Sequence, residues 1–336
     1  MMKSEPLKTA KNGHFLDTLA QLWNDPQNQP HEPHQKTAKK APQKGEDLSL
    51  KTFIKKQKAK ALTNAIVLGM ADVDSPLKKS YWNAWHCNNV QLQDGKKIKA
   101  KYCNSRWCVV CSRIRTAKMI KGYAPVLLKF KDMQFATLTA PNVKEEDLIN
   151  EVDRFINVWR KIYYTLRKTY KIKPKGIRKI EITYNWKSDT YNAHFHLIVE
   201  RAFVAELITN LWLKHNLKAQ GIAQDVRKAD DGALMELFKY TAKMIHDKKF
   251  TPSAMDAIYR ALRGKRTYQP FGIKKYVCED VEGVQTQTIT FQPSQREIWV
   301  WNKEIRDWIN GAGECLTGYI MDGKFDALLN KIESYG

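Results

Sequence analysis

The stretch Ala193-His194-Phe195-His196-Leu197-Ile198-Val199 holds two histidines that are separated by one residue within an otherwise apolar run. Successive side chains of a β-strand point to opposite faces, so His194 and His196 share one face. Phe195 and Leu197 share the other face and are expected in the core. The stretch therefore predicts a strand that is buried on one face and presents two imidazoles on the other. A polar sheet face that merely carries two surface histidines is the alternative.

A second strand is predicted at residues 177–184, joined to the first by a polar turn. A hairpin centred between residues 188 and 189 places Glu181 opposite His196. Thr183 then lies opposite His194 on the same face. Two imidazoles and one carboxylate suit Mn²⁺, tolerate Mg²⁺ and leave open positions for phosphate oxygens. The predicted metal ligands are these two histidines and Glu181.

A second group of candidate catalytic residues lies in a helix predicted at 233–246. Glu236, Tyr240 and Lys243 are spaced so that they share one helical stripe. A tyrosine with an ordinary pKa near 10 is a poor nucleophile at neutral pH, but a nearby ammonium group or metal favours its phenolate. Lys243 is the predicted source of that charge. A solvated stripe without a role is the alternative.

Three of the six cysteines crowd into one short segment as Cys103, Cys108 and Cys111, and Cys87 lies sixteen residues upstream. Four thiolates close a structural tetrahedral Zn²⁺ site, which the spacing predicts here. His86 is adjacent to Cys87 and is an alternative fourth ligand, and reduced thiols without metal remain the other interpretation. A basic run that follows the cluster is predicted to contact DNA phosphates. Its members are Arg113, Arg115, Lys118 and Lys121.

The 336 residues carry a net charge of +22, which indicates nucleic acid as the first partner to consider. No apolar run approaches the ~20 residues that span a bilayer, and the N-terminus lacks a signal-like pattern. A cytoplasmic protein without membrane association is expected.

Strand and helix patterns alternate from residue 135 onward, which predicts an α+β fold with an antiparallel sheet flanked by helices. Residues 1–49 are predicted to form a flexible basic arm, and 50–130 a small zinc-binding module that contacts DNA. The catalytic core is predicted at 131–265. Residues 266–336 form a C-terminal region to which the sequence assigns no role.

The order and spacing of these motifs resemble those of the rolling-circle plasmid replication initiators of the HUH endonuclease superfamily, in the branch with one catalytic tyrosine. The resemblance spans residues 81–244. Residues 135–139 look like the first strand motif of the family, His194-Phe195-His196 like its metal motif, and Lys239-Tyr240 with Lys243 like its tyrosine motif. The cysteine cluster and the basic run resemble the segment that precedes the nuclease core.

The resemblance implies an HUH nuclease-like core in which Tyr240 attacks the scissile phosphodiester and forms a 5′-phosphotyrosyl bond. It also implies that Lys243 positions or activates the tyrosine. In some members a glutamate one turn before the tyrosine serves as base for a water at termination, and Glu236 stands at that position. The implied partners are double-stranded origin DNA, single-stranded DNA, and a host helicase and polymerase.

Two other functions are compatible with the sequence. A single-tyrosine transposase uses the same chemistry at transposon ends, and a zinc-containing DNA-binding regulator needs no catalysis. A histidine-triad hydrolase is disfavoured because no third histidine follows at the next alternate position after His196.

Overall fold

Two five-stranded antiparallel sheets carry the fold of the computed structural model, which describes residues 44–94, 97–238, 251–275, 287–288 and 297–336. The helices are α1 Lys44–Gly69, α2 Lys78–Trp85, α3 Val109–Leu127, α4 Glu145–Lys168, α5 Ala202–His215, α6 Asp231–Phe238, α7 Pro252–Leu262 and α8 Gly323–Glu333. The strands are β1 Val90–Asp94, β2 Lys97–Ala100, β3 Met133–Thr139, β4 Gly176–Asn185, β5 Thr190–Glu200, β6 Asp225–Lys228, β7 Tyr268–Phe271, β8 Gln287–Thr288, β9 Glu297–Asn302 and β10 Asp307–Ile309. The predicted α+β class with helices flanking antiparallel strands is confirmed.

The larger hydrophobic core lies on one face of the sheet ordered β6-β3-β5-β4-β7, which we call the histidine sheet because β5 carries His194 and His196. Helices α4, α5 and α7 cover this face, and their apolar side chains pack on Ile180, Phe195 and Leu197. Helix α4 forms because an apolar stripe runs along it, with acidic residues in its first turn and Arg167 and Lys168 in its last. We call this the core face of the sheet.

The opposite face carries the two histidines and is covered by other helices. Apolar residues of α3 and α6 pack there against Phe135, Ile177 and Ile198. Helix α6 begins where the Asp230 carboxylate accepts a hydrogen bond from the Ala233 amide at 2.8 Å. We call this the site face.

The β4–β5 hairpin differs from the predicted register by two residues. Asn185 pairs with Thr190, so Glu181 lies opposite His194 instead of His196, and Thr183 lies opposite Asn192. The turn is centred one residue earlier than predicted, and Asp189 adopts a φ of 48° to close it. Because the shift is even, Glu181 stays on the face of the histidines.

The structure differs from the predicted segmentation at both ends. Helix α1 begins at Lys44, inside the range predicted as an arm, while residues 1–43 lie outside the described residues. Strand β7 completes the histidine sheet through ladder bonds with β4. Strands β8, β9 and β10 join β1 and β2 in the second sheet, and α8 packs with α1 around the cysteines. Pairing between distant segments leaves no periodic signal, which is why the sequence assigned these strands no partner.

None of the described helices is both long and apolar enough to cross a bilayer.

Candidate active site and cysteine cluster

A group of three candidate metal ligands lies at the centre of the site face. Ligand atoms of Glu181, His194 and His196 all lie within 4.8 Å of one another. His196 Nε2 is 3.7 Å from Glu181 Oε2, and the two imidazole rings are 4.7 Å apart at 79°. The structure thus brings together the three residues that the strand pattern predicted as ligands.

Neighbouring groups orient both imidazoles. The Nδ1 of His194 lies 3.4 Å from the Asn192 carbonyl, which can only accept, so this contact favours the tautomer with hydrogen on Nδ1. Thr137 Oγ1 lies 3.3 Å from His196 Nδ1, and Phe135 stacks on the His196 ring with centroids 5.3 Å apart. Both residues come from β3, so three adjacent strands build the site.

Lys179 is the residue of this site that the sequence analysis missed. It lies opposite His196 in the β4–β5 ladder, is 2% exposed, and its Nζ is 2.7 Å from Glu181 Oε2. One feature of the sequence could have identified Lys179. It lies two residues before Glu181 on a predicted strand, so both side chains point to the same face of the sheet. Tyr268 of β7 is a further neighbour, with its ring centroid 6.0 Å from Lys179 Nζ.

Electrostatics keep the candidate ligands in their metal-binding protonation states. Burial raises the pKa of Glu181, but the charge and hydrogen bond of Lys179 outweigh it and hold that pKa below its ordinary value. Burial and the neighbouring His194 lower the pKa of His196 to about 4. At neutral pH the site therefore offers a carboxylate and a neutral imidazole, the forms that bind metal.

Helix α6 brings one of the predicted catalytic residues to this site. Glu236 is half-buried on α6, and its backbone carbonyl lies 3.5 Å from Lys179 Nζ. The negative charge of the Glu236 carboxylate raises the pKa of His196, but burial lowers that pKa by more. Tyr240 and Lys243 lie outside the described residues.

The four cysteines predicted as zinc ligands converge at the start of α3. The Sγ atoms of Cys87, Cys103, Cys108 and Cys111 lie within 4.8 Å of one another. The Sγ of Cys111 is 3.5 Å from that of Cys87 and 3.7 Å from that of Cys103. Sulfurs at a Zn–S distance of about 2.3 Å in a tetrahedron are about 3.8 Å apart, so the spacing fits this ion. His86 is exposed and is not part of the cluster.

The surroundings of the cluster also fit thiolates. The amides of Cys103, Ser105 and Cys111 donate to cysteine sulfurs at 3.4–3.5 Å. Lys60 is fully buried and donates to Asn89 Oδ1 at 2.5 Å. Burial lowers the pKa of Lys60 to about 8. Three cysteine sulfurs raise this pKa through their charge, and Cys87 has the largest effect of the three. A buried ammonium group is stabilised by the negative charge that metal-bound thiolates carry.

The predicted DNA-contacting residues all lie on α3, which links the cysteine cluster to the site face. Arg113, Arg115 and Lys118 are half-buried, and Lys121 is exposed. Arg115 Nη2 donates to the Asn104 carbonyl at 2.8 Å. Ala124 and Leu127, near the end of α3, pack in the core of the site face.

Comparison with known proteins gives one family. Residues 95–296 match the sequence model of the replication protein family. The chain is similar to "Protein rep" of Staphylococcus aureus, with 32% identity over 174 residues that cover 45% of this chain and 74% of that protein. It is also similar to "Protein rep" of Bacillus amyloliquefaciens, with 27% identity over 227 residues, or 55% of this chain and 66% of that protein. No solved structure matches.

Proposed function

The chain belongs to the replication protein family, and on this premise we propose that it initiates rolling-circle replication of a plasmid by nicking one strand of the origin. The matched residues include the whole histidine sheet and the predicted tyrosine motif. The membership supports the resemblance to plasmid replication initiators. Nicking is the proposed means of initiation.

The observation that carries the proposal is the composite site on the site face. Two imidazoles and one carboxylate converge there beneath α6, which also carries Glu236. Tyr240 follows Glu236 by four residues, which is one turn of a helix. Such a site combines groups for binding a phosphate with a nucleophile close by in the sequence.

Tyr240 is the proposed nucleophile. Its phenolic oxygen attacks the scissile phosphorus, a tyrosine–phosphate bond forms, and the bond to the 3′ oxygen breaks. The phenol gives up its proton, the 3′ oxygen takes up one proton and leaves as a hydroxyl that primes synthesis, and the phosphotyrosyl bond conserves the energy needed for later rejoining. Lys243 is proposed to favour the phenolate, and Glu236 to accept the proton of a water in a second cleavage at termination.

The residues of the site fit a divalent ion, Mn²⁺ or Mg²⁺, held by His194, His196 and Glu181. When bound, this ion polarises the scissile phosphate and offsets its negative charge. The Asn192 carbonyl helps to hold the His194 ring, and Lys179 keeps Glu181 ionised.

The cysteine cluster is proposed to hold one structural Zn²⁺ through Cys87, Cys103, Cys108 and Cys111. Because the Cys108 sulfur caps the first turn of α3, the ion orients the helix that carries the basic run. Arg113, Arg115, Lys118 and Lys121 are proposed to contact phosphates of double-stranded origin DNA and of the exposed single strand. A host helicase and polymerase are the further proposed partners.

A nicking assay separates this proposal from the alternatives. The chain is incubated with Mn²⁺ and a supercoiled plasmid that carries the origin of its own replicon, and relaxed circles are expected. The same plasmid without the origin is the control. Binding without nicking contradicts the proposal and supports a non-catalytic regulator, while cutting confined to transposon ends supports a transposase.

A further inference from the structure

The core face of the histidine sheet carries a groove that the proposed function does not use. It has a volume of about 530 Å³ and lies between the C-terminal half of α4 and the strand β7. Its lining residues are Trp159, Arg160, Tyr163, Tyr164, Arg167, Lys168, Gln269, Pro270, Phe271 and Gly272. Tyr268, next to Gln269, contacts the site on the opposite face. The groove therefore lies at the β7 edge of the sheet, on the face opposite the candidate metal site.

The charge of the groove is entirely positive. Its lining includes Arg160, Arg167 and Lys168 and no carboxylate. Among the described residues these three cations form no ion pair; Arg160 donates to the Asn157 amide oxygen at 2.9 Å. Cations in the last turn of a helix complement its dipole, which accounts for Arg167 and Lys168 but not for Arg160, two turns earlier.

A fourth cation lies directly behind the groove wall. Arg178 is 1% exposed and donates through Nη2 to Gln269 at 2.7 Å, while its Nε and Nη1 have no hydrogen-bond partner among the described residues. Its guanidinium lies 4.4 Å from the Phe195 ring centroid. Burial and the charge of Arg160 lower the pKa of Arg178 to about 9. A buried guanidinium bonded to the Gln269 side chain, behind a wall that carries Arg160 and no carboxylate, favours an anion in the groove.

Aromatic side chains supply the other half of the site. Tyr164 is 64% exposed and Tyr163 is half-buried, so both rings are accessible from the groove. Trp159 and Phe271 are buried and form its floor. Aromatic rings beside guanidinium groups are the means by which proteins stack nucleic-acid bases and hold the adjoining phosphates.

We propose that this groove binds a nucleotide unit, with the base stacked on Tyr163 or Tyr164 and the phosphate between Arg160 and Arg167. The unit comes either from a DNA single strand or from a free nucleotide. The inference is independent of the nicking chemistry, because it depends on α4 and β7 and on no residue of the metal site.

Binding is measured with the full chain without added Mn²⁺ or Mg²⁺. The probe is a fluorescent oligothymidylate of about 12 nucleotides, a length within the range that such grooves cover. Tyr164→Ala is expected to weaken binding about tenfold, as removal of one stacking ring does. The double variant with Arg160→Gln and Arg167→Gln is expected to bind with a weaker dependence on salt. The slope of log affinity against log salt concentration should decrease in magnitude by about 0.7 for each phosphate that is no longer neutralised. Lys161→Gln, on α4 but outside the groove, is the matched control.

Competition and crosslinking identify the source of the nucleotide and its place. A 5-iododeoxyuridine strand is expected to crosslink to the peptide that contains Tyr163 and Tyr164. If thymidine monophosphate displaces the probe, the groove takes free nucleotides, and if only strands do, it takes DNA. Inorganic phosphate that binds as well as the nucleotide would contradict base stacking. Unchanged affinity in both groove variants, or crosslinks confined to the site face, would overturn the proposal.

Discussion

Lys179 and Glu181 form a buried ion pair on the site face, with Nζ 2.7 Å from Oε2 and both side chains at most 3% exposed. Glu181 also faces His196 Nε2 at 3.7 Å, so the carboxylate is shared between the lysine and the candidate metal site. The pair keeps Glu181 ionised despite its burial, which makes Lys179 a positioning residue for the proposed metal.

Lys179→Met should therefore make metal binding pH-dependent. Without the ammonium group, burial raises the pKa of Glu181, so the carboxylate becomes protonated at a higher pH than in the wild type. Mn²⁺ affinity, measured by calorimetry from mildly acidic to mildly alkaline pH, is expected to fall with decreasing pH at a higher pH in Lys179→Met than in the wild type, and to recover as pH rises. Lys179→Arg retains the charge and serves as the control. Equal Mn²⁺ affinity of wild type and Lys179→Met throughout this range would show that the pair has no such role.

Replacement of both His194 and His196 by alanine should abolish metal-dependent nicking and leave duplex binding nearly unchanged. Two of the three proposed ligands are removed, whereas DNA affinity depends mainly on lysine and arginine contacts to phosphates. Nicking and band-shift assays on one preparation measure the two properties. His86→Ala, at an exposed position outside the site, is the control. Undiminished nicking that still requires metal would place the metal elsewhere.

Cys108→Ser should lower zinc content and thermal stability together. The Cys108 sulfur lies in the buried cluster and also caps α3, so loss of a structural ion costs folding energy. A fall in melting temperature of about 5 °C or more is expected by calorimetry. Cys315→Ser is the matched control because Cys315 is exposed and outside the cluster. Wild-type protein that contains no zinc when purified without chelator would instead indicate free thiols.

Glu236→Ala should spare the first nick but impair termination. The first cleavage uses the tyrosine, whereas the second is proposed to need a carboxylate that accepts the proton of a water. Products longer than one plasmid unit are expected in an assay with two origins that scores initiation and termination separately. Glu206→Ala, on α5, is the control. Equal loss of both steps, or of neither, is the outcome that defeats this role.

The local parts of the site could be predicted from the sequence because strand alternation is a short-range rule. It put His194, His196 and Glu181 on one face, and the two-residue error in register did not move Glu181 off that face. The cysteine spacing likewise predicted a cluster that the structure brings together.

The remaining features depend on contacts between distant segments. Strand β9 pairs with β1 from some 200 residues away in the chain, and no local pattern specifies that partner. Nothing in the sequence distinguishes Lys179 from an ordinary surface lysine. It becomes buried only in the folded protein, where α6 covers the strand that carries it. The groove beside β7 arises where α4 passes an edge strand, which periodicity does not encode.

The most direct test of the central claim is the covalent intermediate. An origin strand labelled at its 3′ end is incubated with the chain and Mn²⁺, and the products are separated on a denaturing gel. Wild type is expected to give a labelled band at the size of the protein plus the downstream fragment. Tyr240→Phe is expected to give none while still binding the origin, because it lacks only the phenolic oxygen. Tyr259→Phe, at a ring that packs in the cysteine-cluster core, should behave as wild type. A full yield of adduct from Tyr240→Phe would contradict the account.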